Sequence, residues 1–125
     1  MRERDFRDYR KRKLSESDKG IGLKVTGTTA PGQIIHWAVD SSAANEFDEV
    51  WIKALNQSAS PVTLTIQWGW TRTEDQIKVT LPANSALIDV VPGLVLNGAA
   101  GIYAFASAAN VVVVHGFVHR YQLTE

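Results

Sequence analysis

From Gly20 onward, apolar residues recur at every second position. The stretch PVTLTIQWGW, residues 61–70, is the cleanest case: Val62, Leu64, Ile66 and Trp68 alternate with Thr63, Thr65 and Gln67. A period of two sorts side chains onto the two faces of an extended strand, whereas a helix needs a period of 3.6. Ile77, Val79 and Leu81 repeat the pattern, and Val50, Ile52 and Ala54 alternate with Trp51, Lys53 and Leu55. The spacing predicts strands near 21–26, 33–39, 48–56, 61–68, 75–81, 85–91, 101–107 and 110–119, with a further short piece at 94–96. Turn-forming clusters lie between them: APG at 30–32, NQSAS at 56–60, PANS at 82–85, PG at 92–93, NGAAG at 97–101 and SAAN at 107–110. No helix-length segment intervenes. The chain is therefore expected to be all-β, a single β-sandwich of about eight antiparallel strands. A jelly-roll-like order of two four-stranded sheets fits, and an immunoglobulin-like order stays open. On the 61–68 strand, Leu64 and Trp68 are expected in the core, with Thr63 and Thr65 facing solvent.

Charge divides the chain in two. Residues 1–19 hold eight Lys/Arg and five Asp/Glu, a net +3, while residues 20–125 hold five and eight, a net −3. The first segment, MRERDFRDYRKRKLSESDK, has the i,i+4 pairs Glu3–Arg7 and Asp8–Arg12, which support a helix. Its apolar stripe is thin, and isolated helices of this length are marginal. The sequence thus predicts an N-terminal arm over 1–19, weakly helical or disordered when free, ahead of a β-sandwich domain over 20–125. Phe6, Tyr9 and the basic run Arg10, Lys11, Arg12 and Lys13 are the candidate partner-binding residues of that arm. One basic cluster diluted by neighbouring acids is a poor footprint for nucleic acid.

The residues offer little to chemistry. With no cysteine, thiolate metal sites and disulfide scaffolds are excluded. His115 and His119 share a strand face, but four residues separate them by about 13 Å, too far to chelate one ion. His36 reads as a core or rim histidine. Glu46, Asp48 and Glu49 lack the glycine and rigid spacing of a calcium loop and read as a solvated strand entry. Glu74 and Asp75 beside Arg72 are sequence neighbours in a loop, not carboxylates facing across a cleft. No phosphate-binding loop or nucleophile elbow is present. No enzyme activity, catalytic residue, metal site or cofactor is expected. No apolar run reaches membrane-spanning length, and the charged N-terminus lacks the apolar core of a secretory signal.

Surfaces are more informative. Trp37, Trp51, Trp68 and Trp70 are many for 125 residues. Trp68 is in phase with the core, while Trp70 lies beyond Gly69 at a strand end. An exposed Trp on a β-sandwich can stack on sugars or anchor an interface. NVVVVHGFVH, residues 110–119, is apolar on both faces over four residues, as in a strand covered on both sides by a second sheet, a neighbouring subunit or loops. Trp51, Trp70, Val112 and Val114 are the candidate subunit-contact residues, and a homo-oligomer, with a trimer favoured, is expected.

The phrases FDEVWIKALNQSASPVTLTIQWG, IKVTLPANSALIDVVPGLVLNG and IYAFASAANVVVVHGFVHR resemble small structural proteins of tailed bacteriophages. The likeness covers roughly residues 33–121 and not the arm. It implies a β-sandwich without catalytic residues, made in a bacterial host cytoplasm and placed on the capsid exterior of the virion. It further implies a decoration or cement protein that binds the major capsid protein and stabilises the head shell. A head-fibre or tail-associated role shares this fold, and a carbohydrate-binding β-sandwich module is the alternative of a different class.

Overall fold

The computed structural model describes residues 7–123. Nine strands follow one another: β1 (Arg7–Lys13), β2 (Leu23–Val25), β3 (Gln33–Trp37), β4 (Glu46–Asn56), β5 (Val62–Gly69), β6 (Gln76–Leu81), β7 (Ile88–Leu96), β8 (Gly101–Ala106) and β9 (Val112–Leu123). They form two antiparallel sheets. In sheet A, β9 pairs β4, β4 pairs β7, and the other edge of β9 takes β1 and β2 end to end; sheet B runs β3-β8-β5-β6. With β1 set aside, the orders β2-β9-β4-β7 and β3-β8-β5-β6 are those of a jelly roll, in which most connections cross between sheets. Among the described residues, only β5 and β6 form a hairpin within one sheet.

The core is built from the alternation. Val50, Ile52 and Ala54 of β4, Val62, Leu64 and Ile66 of β5, and Val112, Val114 and Val118 of β9 are all buried in one cluster. The central ladder pairs β4 with β9 over eleven residues, from Glu46↔Gln122 to Asn56↔Val112. Gly116 of β9 points inward in phase with Val114 and Val118. A Cβ there would come within 2.4 Å of the Trp51 carbonyl oxygen, and the Leu14 side chain packs just beyond, 3.3 Å away.

Three expectations need correction. The charged segment expected as a separate arm supplies β1, whose seven residues pair with β9 from Arg7↔Leu123 to Lys13↔Phe117. Two i,i+4 ion pairs favour a helix by only about 0.2–0.5 kcal/mol each. Pairing with β9 instead satisfies backbone groups along the strand and carries Leu14 into the core at 1% exposure. Phe6 and the side chain of Tyr9 lie outside the described residues. Second, the polar face of β5 is not a solvent face. Thr65 is buried and has Phe105 and Lys78 as cross-strand neighbours. Gln67 is fully buried, its Nε2 donating to the Arg72 carbonyl at 2.7 Å and its Oε1 accepting from Gln76 Nε2 at 3.0 Å. Third, Val112 and Val114 cannot be subunit contacts, because the strand phase turns both into the core. On the opposite face of β9, the Gly22 backbone lies against Val113 and His115, where an added Cβ would meet them at 2.5 and 2.7 Å.

The placement of Leu14 separates a strand from a tail. Leu14→Ala should cost about 2–5 kcal/mol in urea unfolding, as should Leu64→Ala. A loss near zero for Leu14→Ala would mean that the segment does not close the sheet.

Candidate functional site

Three arrangements of polar and aromatic side chains stand out. The first is interior. Asp48 is in phase with Val50 and Ile52, so β4 carries its carboxylate inward, where it is 0% exposed. Arg120 faces it across the ladder and donates twice, Nε to Oδ1 at 2.7 Å and Nη2 to Oδ2 at 3.0 Å. His36 of sheet B meets the same Oδ2 through Nε2 at 2.8 Å. The other ring nitrogen, Nδ1, accepts the Ser15 backbone N–H at 2.9 Å. A nitrogen that accepts an N–H carries no proton of its own, so Nε2 is the ring nitrogen that donates to Asp48. Burial pushes the Asp48 carboxyl up. Hydrogen bonds from His36 and Arg120, with the guanidinium charge, outweigh it and hold the group below its ordinary 3.8. The hydrogen bonds that Arg120 donates to Asp48 raise its guanidinium above its ordinary value.

A serine, a histidine and an aspartate in one place invite comparison with a hydrolytic triad. The geometry does not make one. Both ring nitrogens of His36 are committed, and Ser15 Oγ turns away, accepting the Trp37 N–H at 2.8 Å and lying 3.3 Å from Glu16 Oε2. Among the described residues, no serine hydroxyl meets the His36 imidazole. A cleft of about 400 Å³ beside the cluster is lined by Lys11, Arg12, Lys13 and Arg120, so the basic run borders it.

The second arrangement crosses the outer face of sheet A. Lys11 Nζ sits 4.5 Å from the Phe117 ring centre, and Phe117 stacks with Trp51 at 6.3 Å and an interplanar angle of 12°. Gly93 closes the far side of Trp51, since a Cβ there would come within 3.0 Å of Cζ2. The row thus runs through β1, β9, β4 and β7. Glu49 pins it from the side: its Oε1 accepts the Trp51 indole N–H at 3.1 Å and lies 3.1 Å from His119 Nδ1. Trp51, at the middle of this row, is 36% exposed. A groove of about 490 Å³ beside it also touches His115, Lys53 and Asp89.

The third lies where β3, β5 and β8 end together. Trp37, Trp70 and Tyr103 line a groove of about 330 Å³. Elsewhere, the loop carboxylates Glu74 and Asp75 both engage Arg72, at 3.5 and 2.7 Å. Among the described residues no group of three or more His, Cys, Asp or Glu is placed to hold a metal ion.

Of the sequence candidates, Arg10, Lys11, Arg12 and Lys13 are exposed on β1, and Trp51 and Trp70 are exposed on different elements. Sequence reasoning missed the Asp48–Arg120–His36 cluster and read Asp48 as solvated. The signal was present for two of the three: Asp48 shares the phase of Val50, and Arg120 that of Val118. His36, read as a core or rim histidine, is buried, but its meeting with Asp48 was not signalled, because a bulge between Ile34 and His36 turns two successive side chains, Ile35 and His36, inward. The chain matches no protein-family model, no curated protein and no solved structure.

A carboxyl whose native pKa is lowered stabilises the fold at pH values above its unfolded value. That contribution is lost as pH falls below 3.8 through the lowered native value. Wild-type stability should therefore drop more steeply below about pH 4 than that of Asp48→Asn, read by urea midpoints at each pH. At neutral pH, Arg120→Met leaves the carboxylate with His36 alone and should cost about 3 kcal/mol. Parallel acid profiles for wild type and Asp48→Asn would remove Asp48 as the source.

Proposed function

We propose that this chain is a bacteriophage virion protein that decorates the outside of the head shell. It binds the major capsid protein and further copies of itself, as a homo-oligomer for which a trimer is the expected number. The observation that carries this reading is the contrast between the two edges of sheet A. Along β1, Arg10, Lys11, Arg12 and Lys13 are all exposed. At the opposite edge, β7 exposes Leu94 and Val95, the latter to 54%, and Leu87 just before the strand is exposed as well.

Free sheet edges are usually guarded by charge, proline or bulges. β1 carries such a guard. A basic strand repels its like and favours an acidic surface, which suits attachment to a different protein. β7 has Asp89 and Pro92 in its first half but only apolar side chains over Leu94–Leu96. An unguarded apolar end favours contact with a similar apolar surface, which suits a second copy. Trp51 and Trp70 remain candidate contacts in the same reading, and the phrases over residues 33–121 support placing the protein in a virion. Head-fibre or tail attachment would use the same two edges on another partner.

Removal of residues 1–19 is not a fair test, because Leu14 and Ser17 are buried. Substitution is. Changing Arg10, Lys11, Arg12 and Lys13 together to Gln should leave thermal unfolding nearly unchanged and weaken co-sedimentation with undecorated shells. Wild-type binding should weaken as salt shortens the screening length, and the variant's should respond less. Light scattering at tens of micromolar should give a multiple of 13.8 kDa, and Val95→Asp should shift the mass toward one copy. Equal shell binding by the quadruple variant would sink the β1 contact, and a monomer at that concentration would sink self-association.

A further inference from the structure

The groove at the end of sheet B has features that neither edge contact uses. Its walls are Trp37 from β3, Tyr103 from β8, and Trp70 with Thr71 just after β5; its floor is small, with Gly69, Gly98 and Gly101. The two tryptophans are held differently. Trp37 is the cross-strand partner of Gly101, and a Cβ on Gly101 would come within 2.8 Å of Trp37 Cζ3. The six-membered ring thus rests on bare backbone. Tyr103 meets it edge-on, with centroids 6.2 Å apart at 79°. Trp37 is nevertheless 44% exposed, so part of its ring surface is open to solvent. Trp70 follows Gly69, whose φ of +77° turns the chain out of the strand, and it is 65% exposed.

The polar groups of this groove are idle. Among the described residues, none hydrogen-bonds the indole N–H of Trp37 or Trp70, the Tyr103 hydroxyl or the Thr71 hydroxyl. No charged side chain lines the groove. Its volume is at the lower end of the roughly 300–1,000 Å³ typical of small-ligand sites.

We propose that this groove binds a neutral sugar, with one pyranose ring stacked on the exposed ring surface of Trp37 and flanked by Trp70. A pyranose presents an apolar face of C–H groups and a rim of hydroxyls. The face suits a fixed aromatic surface. The rim suits groups that donate, as the indoles do, and groups that both donate and accept, as the two hydroxyls do. The uncharged lining gives a carboxylated, sulfated or aminated sugar no counter-ion, which selects for neutral ones. The site does not depend on the capsid reading, since a shell-bound protein and a free module would use it alike.

The test is retention of the full chain on an array of neutral hexose and N-acetylhexosamine oligosaccharides. Sialylated and sulfated glycans and proline-rich peptides share the array as controls. Retention by at least one neutral class is expected. Trp70→Ala should weaken it roughly tenfold or more, the loss typical of a central aromatic contact. Lys24→Ala, on β2, should leave it unchanged. Trp37→Ala also uncovers Gly101, so the exposed Trp70 is the deciding variant, with thermal unfolding confirming that it remains folded. Retention confined to charged glycans or proline-rich peptides, no retention at all, or neutral-sugar binding indifferent to Trp70→Ala would overturn the proposal.

Discussion

The buried carboxylate of Asp48 is the point on which this sandwich turns. An ionised group without water is costly unless each oxygen is hydrogen-bonded and the charge is balanced. Arg120 supplies the balance from the neighbouring strand of sheet A, and His36 supplies a donor from sheet B. Satisfying one carboxylate therefore requires β3, β4 and β9 to be in place together. It also recruits the chain before β2, because the Ser15 N–H completes His36. Apolar packing alone would tolerate a range of sheet-to-sheet offsets. A carboxylate with three directional bonds does not, since a slip of one residue would turn Asp48 to the outside and Glu49 inward.

That constraint explains why the N-terminal charges belong to the fold. Ser15 reaches His36 from the end of a segment that runs along β9. The strand that does so presents Lys and Arg on both faces because it has solvent beyond it. The same stretch is thus structural through its backbone and Leu14 and available for recognition through its cations. Lys11 shows the overlap most directly, since its ammonium lies over Phe117 and ends the aromatic row that crosses sheet A.

The outer surfaces divide accordingly. Sheet A has a basic edge, an apolar edge and, between them, an aromatic row. Sheet B ends in a groove whose indole N–H groups and hydroxyls have no hydrogen-bond partner among the described residues. Trp51 lies between Gly93 and Phe117 and donates its indole N–H to Glu49, while Trp37 rests against Gly101 and its indole N–H has no partner among the described residues. Both are exposed tryptophans on strands, yet only the second has a free donor beside its ring.

Strand positions, the all-β class and most of the core were legible because the two-residue alternation is a local property of extended backbone. Leu64, Ile52 and Val62 declare their inward direction within a few residues of sequence, and Asp48 and Arg120 share the phase of their buried neighbours, whereas Val112 and Val114, on a strand apolar on both faces, declare none. The fate of residues 7–13 was not legible. Local ion-pair spacing favours a helix weakly, and the stronger term, pairing with β9, comes from residues about a hundred positions away. His36 was hidden by a bulge, which breaks the alternation. The groove was hidden because Trp37, Trp70 and Tyr103 come from three different strands or their ends. The sequence by itself determined the all-β class and the alternation that places most of the apolar core. Only the tertiary structure decided which side chains meet, because pairing between distant strands depends on the summed packing and hydrogen bonding of the whole sheet rather than on any one segment's preference.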